Sequence, residues 1–149
     1  MAEGIYARCL GALDRSGTTR RVFGHKGKAR AIDGIWRDRE RLFGEFSASG
    51  DKLVFCESLP WIGPTTKYHL AKDLGVDVAK PDVHLARLAR RDRTTVARMC
   101  ARLARQTGYR KATIDTILWR GCATGILDSK RYELEGWRAA FRGKPKIQH

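Results

Sequence analysis

Apolar residues recur at the spacing of an α-helix along most of this 149-residue chain. Between positions 94 and 106, arginines fill one side of a helix and the opposite side is apolar, with Val96, Met99, Cys100, Leu103 and Ala104. This period of 3.6 residues predicts an amphipathic helix with one buried stripe. No segment shows the strong two-residue alternation of a half-buried strand. The sequence therefore predicts an all-α protein.

Capping and helix-breaking residues divide the chain into successive predicted helices. Ser47 to Gly50 end a long helix, Asp51 caps the next one, and Pro81 forces a new start at Asp82. We expect one domain of 1–149, in which 1–25 is irregular, 26–127 forms the core, and 128–149 adds a helix and a basic tail. The predicted helices cover 26–46, a short segment after Asp51, 65–74, 82–91, 94–106, 113–122 and 129–141.

The charge balance points to a polyanionic partner. Lys and Arg number 30 and Asp and Glu number 16, which gives a formal net charge of +14. Such a field attracts nucleic acid, whose affinity comes largely from phosphate neutralisation. The basic residues are spread along the chain and not gathered on one amphipathic helix, so we expect no membrane partner. A basic protein with some other partner is the alternative.

The N-terminal residues and the lengths of the apolar runs favour a cytoplasmic protein, which we expect to be associated with the nucleoid when it is bound to DNA. The first six residues lack the basic start and apolar run of a signal peptide. No apolar run approaches the roughly 20 residues that span a bilayer.

The four cysteines do not form a Cys-x-x-Cys pair, so no zinc ribbon or compact iron–sulfur motif is visible. Each lies among apolar neighbours at helical spacing. Buried free thiols and no bound metal are predicted for Cys9, Cys56, Cys100 and Cys122.

A tight bend joins two short predicted helices at Leu59-Pro60-Trp61-Ile62-Gly63-Pro64. We expect Gly63 to adopt a backbone conformation that a side chain would forbid and to approach another surface closely. The amides that follow open a helix, whose N-terminus favours an anion such as a DNA phosphate. We expect Leu59 and Ile62 to anchor the bend in the core and Trp61 to be exposed, whereas Trp36, Trp119 and Trp137 are expected in the core. An ordinary turn between helices is the alternative.

These residues resemble the hairpin of the helix-hairpin-helix DNA glycosylases, the superfamily of endonuclease III and the 8-oxoguanine glycosylases. In that family a catalytic aspartate follows the hairpin glycine by a little under twenty residues. It lies in a motif such as Val-Asp-Val-His at the start of a helix. Here Pro81-Asp82-Val83-His84 stands nineteen positions after Gly63, counted to the aspartate. The resemblance covers about 28–127 and implies a glycosylase-like helical domain.

The resemblance implies that Asp82 is the catalytic carboxylate. It would stabilise the cation-like sugar or activate a water after the nucleotide has been flipped out of the duplex. Its position also suits a simple helix N-cap. The DNA-binding residues implied by the resemblance are Leu59, Pro60, Trp61, Ile62, Gly63, Thr65, Thr66, Lys67 and His84.

Two departures from the family limit the expected chemistry. Members that also cut the strand have a Schiff-base lysine two residues after the hairpin glycine, where this chain has Thr65. The enzyme would therefore release bases without lyase activity, and Lys67, the nearest amine, would face solvent or phosphate. In addition, few helices precede position 26, so the base pocket could be incomplete. No iron–sulfur cluster is expected, and K⁺ or Na⁺ held by hairpin carbonyls is the only cofactor that the resemblance implies.

The expected partner is double-stranded DNA and the expected activity is excision of damaged or modified bases. A non-catalytic helix-hairpin-helix module that binds DNA is the first alternative. A basic protein that binds RNA or another protein, with a purely structural hairpin, is the second. The sequence does not name the base that would be removed.

Overall fold

The computed structural model describes residues 4–141, and the predicted basic tail, 142–149, lies outside them. The regular secondary structure in this range is helical, apart from one isolated β-bridge between Leu127 and Phe141. The prediction of an all-α protein is confirmed. Contacts group the residues into two compact units, one ending at Gly63 and the other beginning at Pro64. The predicted single domain therefore consists of two parts, and each is described by itself.

From residue 4 onwards, the first unit contains four helices around a small core. The helices are α1 (Ile5–Ser16), α2 (Lys26–Arg37), α3 (Arg39–Ala48) and α4 (Lys52–Ser58). Asp51 caps α4 as predicted, because its carboxylate accepts hydrogen bonds from two amides of the first turn. The buried apolar residues of this unit are Ala12, Leu13, Ala29, Phe46 and Cys56.

A carboxylate on α2 fixes the connection that follows α1. Asp33 Oδ1 accepts from the amide of Thr19 at 2.7 Å and from its hydroxyl at 2.8 Å, and Oδ2 accepts from the Thr18 hydroxyl at 2.8 Å. Burial alone would raise the pKa of Asp33, but these hydrogen bonds outweigh it and hold the pKa below its ordinary value. Thr19 is fully buried, so this cluster is part of the unit's interior.

Two sequence predictions for this unit are wrong. The segment 1–25 was expected to be irregular, yet it contains α1, which ends at Gly17 in a left-handed conformation. The predicted continuous helix over 26–46 is broken at Asp38, whose backbone lies outside the helical region. The Asp38 carboxylate binds Arg37 at 3.0 Å and Arg41 at 3.3 Å. The Arg39 guanidinium donates to the Trp36 carbonyl oxygen at 2.8 Å across this break, a local bond that the apolar period does not reveal.

Within the described residues, the second unit contains six helices. The third residue of its second helix, Leu85, is fully buried. The helices are α5 (Thr66–Asp73), α6 (Val83–Arg91), α7 (Val96–Thr107), α8 (Lys111–Ala123), α9 (Ser129–Glu135) and α10 (Trp137–Ala140). Helix α6 packs against α7, α8 and α9, and is therefore the central element. The core of this unit consists of Ala79, Leu85, Leu88, Ala89, Val96, Met99, Cys100, Ile114, Cys122, Leu127 and Ala140.

The predicted stripe of α7 is confirmed, since Val96, Met99 and Cys100 are buried and Leu103 packs against them. The predicted helix over 129–141 is instead two helices. They are separated by Gly136, whose φ of 88° lies in the left-handed region that favours glycine.

All four cysteines are free, and three of them are buried: Cys56, Cys100 and Cys122. Burial raises the pKa of each of these three thiols, and it raises that of Cys100 to about 11 with a further contribution from the Asp115 charge. Cys9 is half-buried. The prediction of free thiols is confirmed, and that of complete burial holds for three.

Two tryptophans expected in the core are exposed. The exposed fraction is 41% for Trp119 and 58% for Trp137. Trp137 makes edge contacts with the rings of Tyr132, which packs against the core, and of Phe141, which is exposed. Among residues 4–141, no helix is both long and apolar enough to cross a membrane.

Replacing the central side chain of α6 should destabilise the second unit. Leu85→Ala removes a fully buried side chain and leaves a cavity, so the free energy of unfolding should fall by about 2–5 kcal/mol. Leu134→Ala is the matched control, because Leu134 is 78% exposed and its loss should change stability by no more than about 0.5 kcal/mol. Urea denaturation measures both, and equal effects would contradict the described core.

Candidate functional site

Asp82 is the N-cap of α6, as its position in the sequence allowed. Its Oδ1 accepts a hydrogen bond from the Leu85 amide at 2.9 Å. The side chain is half-buried, and no hydrogen bond to Oδ2 occurs among residues 4–141. One oxygen of the carboxylate therefore organises the helix while the other remains available.

The segment before Asp82 is fixed to α8 at two points. The Asp77 carboxylate accepts from the Ala112 amide in the first turn of α8 at 3.0 Å. The Lys80 amide donates to Asp115 Oδ2, also at 3.0 Å. The Asp82 amide then closes a tight turn by donating to the Lys80 carbonyl oxygen at 2.9 Å. These bonds hold Asp82 at a defined place relative to α8.

A cavity of about 500 Å³ opens beside Asp82, and all its lining residues belong to the second unit. We call it the Asp82 cavity. Its volume falls in the range of small-molecule and cofactor sites. The lining includes one histidine, two lysines, two carboxylates in addition to that of Asp82, and an indole. The residues used below are His69, Lys72, Lys80, Asp82, Asp115 and Trp119.

A buried ion pair forms part of the cavity wall. Lys72 Nζ on α5 lies 2.6 Å from Asp115 Oδ2 on α8, and the two side chains are only 17% and 3% exposed. Asp115 also accepts the Lys80 amide described above. One buried carboxylate therefore joins α5, the segment that leads to Asp82, and α8.

His69 and Lys80 form a second polar pair in the wall, with 3.0 Å between His69 Nε2 and Lys80 Nζ. A lysine ammonium has only donors, so Nε2 accepts and the imidazole is neutral. Burial lowers the pKa of His69 below its ordinary value, and the charges of Lys80 and Lys72 lower it further. At neutral pH the cavity thus contains a neutral imidazole beside a cation.

His84, expected to bind DNA, does not line the Asp82 cavity. Its Nδ1 lies 3.0 Å from the Ser129 hydroxyl at the start of α9. The ring lines a separate cavity of about 390 Å³ together with Arg87, Cys122 and Ser129. In this structure His84 links α6 to α9.

The bend keeps Pro60, Trp61 and Pro64 exposed, with Trp61 at 58%. Leu59 and Ile62, expected in the core, are half-buried. The prediction for Gly63 is wrong in one respect, because the left-handed residue of the bend is Trp61, at φ 66°, and Gly63 has no positive φ. A Cβ at Gly63 would meet no described atom within 4 Å. Nothing within the described chain therefore requires glycine at this position.

The ring of Trp61 lies against the start of α2 within the first unit. It contacts the His25 ring edge-on, with 4.9 Å between centroids, and the Lys28 ammonium is 5.7 Å from its centroid. A Cβ at Gly27 would approach the indole to 2.8 Å, so only glycine permits this contact. His25 caps α2 through its ring nitrogen. The exposed indole is therefore held in place and has basic neighbours.

The other predicted DNA-binding residues lie in the second unit. Thr65 and Thr66 are exposed at the start of α5, and the Thr65 hydroxyl makes no capping bond to the helix. The Lys67 ammonium lies 5.7 Å from the centroid of the Tyr68 ring. The first turn of α5 is thus accessible from solvent.

Several cavity residues were missed by sequence reasoning. An aspartate at 115 on the same helical face as Ile114 and Leu118 was the available signal, because a charge on an apolar stripe requires a buried partner. That the partner is Lys72, 43 positions earlier, could not be read from local patterns. The missed residues are His69, Lys72, Asp115 and Trp119.

No cluster of His, Cys, Asp and Glu within the described part of the chain could hold a metal ion. Comparison with protein-family models, with curated proteins and with solved structures found no match. The resemblance to helix-hairpin-helix glycosylases therefore rests on the residues of the bend and of the segment around Asp82.

Breaking the buried ion pair should destabilise the second unit strongly. Lys72→Met leaves the Asp115 carboxylate buried without its cation, and we expect a loss of about 3–5 kcal/mol. The double variant Lys72→Met/Asp115→Leu removes both charges and should recover most of this loss. Urea denaturation at pH 7 measures both variants. A single variant as stable as the parent would show that the pair does not support the cavity.

Proposed function

We propose that this chain is a monofunctional DNA glycosylase with a helix-hairpin-helix fold, which flips a damaged or modified base out of duplex DNA and hydrolyses its N-glycosidic bond. The observation that carries the proposal is the placement of Asp82. It heads a helix, lines a cavity of about 500 Å³ and keeps one carboxylate oxygen free of protein hydrogen bonds within residues 4–141. A carboxylate in this situation can face a sugar whose base has entered the cavity.

In the proposed reaction, water adds to the anomeric carbon of the sugar and the bond to the base nitrogen breaks. Positive charge develops on the sugar, and the Asp82 carboxylate stabilises it or accepts a proton from the water. The departing base gains electrons and needs a proton or a hydrogen bond. Lys80 is a cation in the wall whose partner, His69, is neutral, so Lys80 can assist the base, and Trp119 offers it an aromatic surface.

The bend supplies the proposed DNA contact. Its glycine has no packing role inside the described chain, and the α5 amides beyond it lack a side-chain cap. A close approach by a phosphate would explain both features, because it needs a bare backbone and free N–H groups. The net charge of +14 favours the same partner.

Thr65 has no amine, so the proposed enzyme forms no imine with the sugar. The product would be an abasic site in an intact strand. Heating in alkali converts such sites into breaks and so makes excision visible.

A non-catalytic DNA-binding module is the second candidate, and one observation favours it. The hydrogen bond from the Leu85 amide gives Asp82 a complete structural role as an N-cap. An aspartate at this position therefore does not by itself require catalysis. An excision screen over uracil-containing, alkylated, oxidised and mismatched duplexes separates the two candidates.

Asp82→Asn should abolish base release and leave DNA affinity nearly unchanged. Asparagine keeps the oxygen that caps α6 but removes the negative charge, so the rate should fall at least about 100-fold. The measurement is a single-turnover excision assay with alkali treatment, accompanied by duplex titration.

Asp51→Asn is the matched control for this experiment. Asp51 caps α4 with its carboxylate in the same way but does not line the Asp82 cavity. Its excision rate should equal that of the parent. Unchanged excision by Asp82→Asn would refute the glycosylase mechanism, and no excision by the parent on any lesion would favour the binding module.

Gly63→Ala should weaken DNA binding without weakening the fold. A Cβ there meets open space in the protein, so the free energy of unfolding should change by no more than about 0.5 kcal/mol. The same methyl group would hinder a phosphate at the backbone, so duplex affinity should fall about tenfold. Fluorescence anisotropy and urea denaturation provide the two readouts. Unchanged affinity would place the DNA contact elsewhere.

A further inference from the structure

More than half of the net positive charge of the chain lies in one segment that is poor in acidic residues. Residues 87–111 contain nine basic residues and one acidic residue, so they account for eight of the fourteen net charges. Eight of the nine are arginines. Arginine presents a planar fork of donors that matches the two oxygens of a phosphate, whereas lysine presents a point charge. The composition of the segment thus favours phosphate over a general need for solubility.

Helix α7 organises this charge into a surface. Arg98, Arg102 and Arg105 are exposed and follow one another at intervals of four and three residues, so they share one side of the helix. We call these three residues the arginine face. The opposite side of α7 is buried in the core of the second unit and fixes the orientation of the helix. The arginine face is therefore directed outwards by packing.

The arginine face is only partly neutralised by the protein. Arg102 Nη2 lies 2.7 Å from Asp92 Oδ2, and the Tyr132 hydroxyl donates to Asp92 Oδ1 at 2.6 Å. This network orients one guanidinium. Arg98 and Arg105 form no ion pair with any residue of 4–141. Like charges at this spacing destabilise a helix by roughly a few tenths of a kcal/mol per pair. The arrangement therefore does not stabilise α7 itself.

Two other anionic partners fit this surface poorly. A membrane would need bulky apolar residues beside the arginines to enter the lipid, and the exposed neighbours on α7 include Ala97, Gln106 and Thr107. An acidic protein would need a packed contact with a central apolar or aromatic anchor, which this side of α7 lacks. A sugar–phosphate backbone needs only regularly spaced cations.

We propose that the arginine face binds the phosphate backbone of duplex DNA, as a second contact in addition to the bend; this inference rests on the proposed function. Seven residues of helix separate Arg98 from Arg105, a distance of about 10 Å along the axis. This equals the rise of roughly three base pairs. The three guanidiniums can therefore contact phosphates within a stretch of four along one strand. The surface adds affinity without reading the base sequence.

The test neutralises the two arginines that have no ion pair. Arg98→Gln/Arg105→Gln should lose about two phosphate contacts and reduce the slope of log K against log salt by about 1.8. Between 50 and 200 mM salt, the fall in duplex affinity should therefore be about 12-fold smaller than in the parent. Fluorescence anisotropy with an undamaged duplex measures the slope.

Arg8→Gln/Arg138→Gln is the matched control. It removes the same charge from two exposed helical arginines that likewise form no ion pair within the described residues and lie outside the arginine face. Its slope should equal that of the parent. Equal slope changes in both double variants would show that only net charge matters and would overturn the proposal. An unchanged slope in Arg98→Gln/Arg105→Gln would overturn it as well.

Two further readouts separate this surface from the rest of the proposed function. At saturating protein, Arg98→Gln/Arg105→Gln should excise bases at the parental rate, so a catalytic failure of Asp82 and a binding failure of α7 are distinguishable. Titration with double-stranded RNA of the same sequence tests whether the arginine face contributes to binding of DNA or of RNA. A loss of affinity confined to RNA would overturn the assignment to DNA.

Discussion

The second unit depends on one buried carboxylate. Asp115 is almost fully enclosed, and its Oδ2 accepts both from the Lys72 ammonium and from the Lys80 amide. A buried charge is tolerated only when partners compensate it, so these two donors and the acid constrain one another. The consequence is geometric, because the segment that precedes Asp82 cannot move relative to α8 without breaking its hydrogen bond to this carboxylate. The position of the candidate catalytic group is thus set by electrostatics outside the reacting atoms.

In the proposed mechanism, Asp82 combines two roles that require different properties of the same side chain. A cap needs one oxygen directed at the Leu85 amide, and the proposed chemistry needs the other oxygen to face a ligand. The half-buried position satisfies both requirements. Full burial would exclude a substrate, and full exposure would let solvent screen the electrostatic interaction of the carboxylate with the sugar. Lys80 divides its two roles between backbone and side chain. Its amide donates to the buried Asp115 carboxylate, and its ammonium contacts His69 in the cavity wall.

The sequence predicted several features that depend on neighbouring residues, missed two local breaks, and missed what depends on distant residues. Helical period and caps predicted the stripe of α7 and the cap of α4, because these features involve residues within two turns. The break at Asp38 and the left-handed Gly136 escaped detection, since the apolar pattern continues across both. In the site, Asp82 was expected because its sequence motif resembles that of the glycosylase family. Its neighbours in the cavity come from α5 and α8, and their meeting is a product of tertiary packing.

The cysteine arrangement has a practical consequence for chemistry on the intact protein. Thiolates are the species that react with maleimides and iodoacetamide, and the three enclosed thiols of Cys56, Cys100 and Cys122 resist ionisation. Cys9, on α1, is the one described thiol that solvent partly reaches. A single reporter dye can therefore be attached to the native chain on α1 without first removing any residue by mutation.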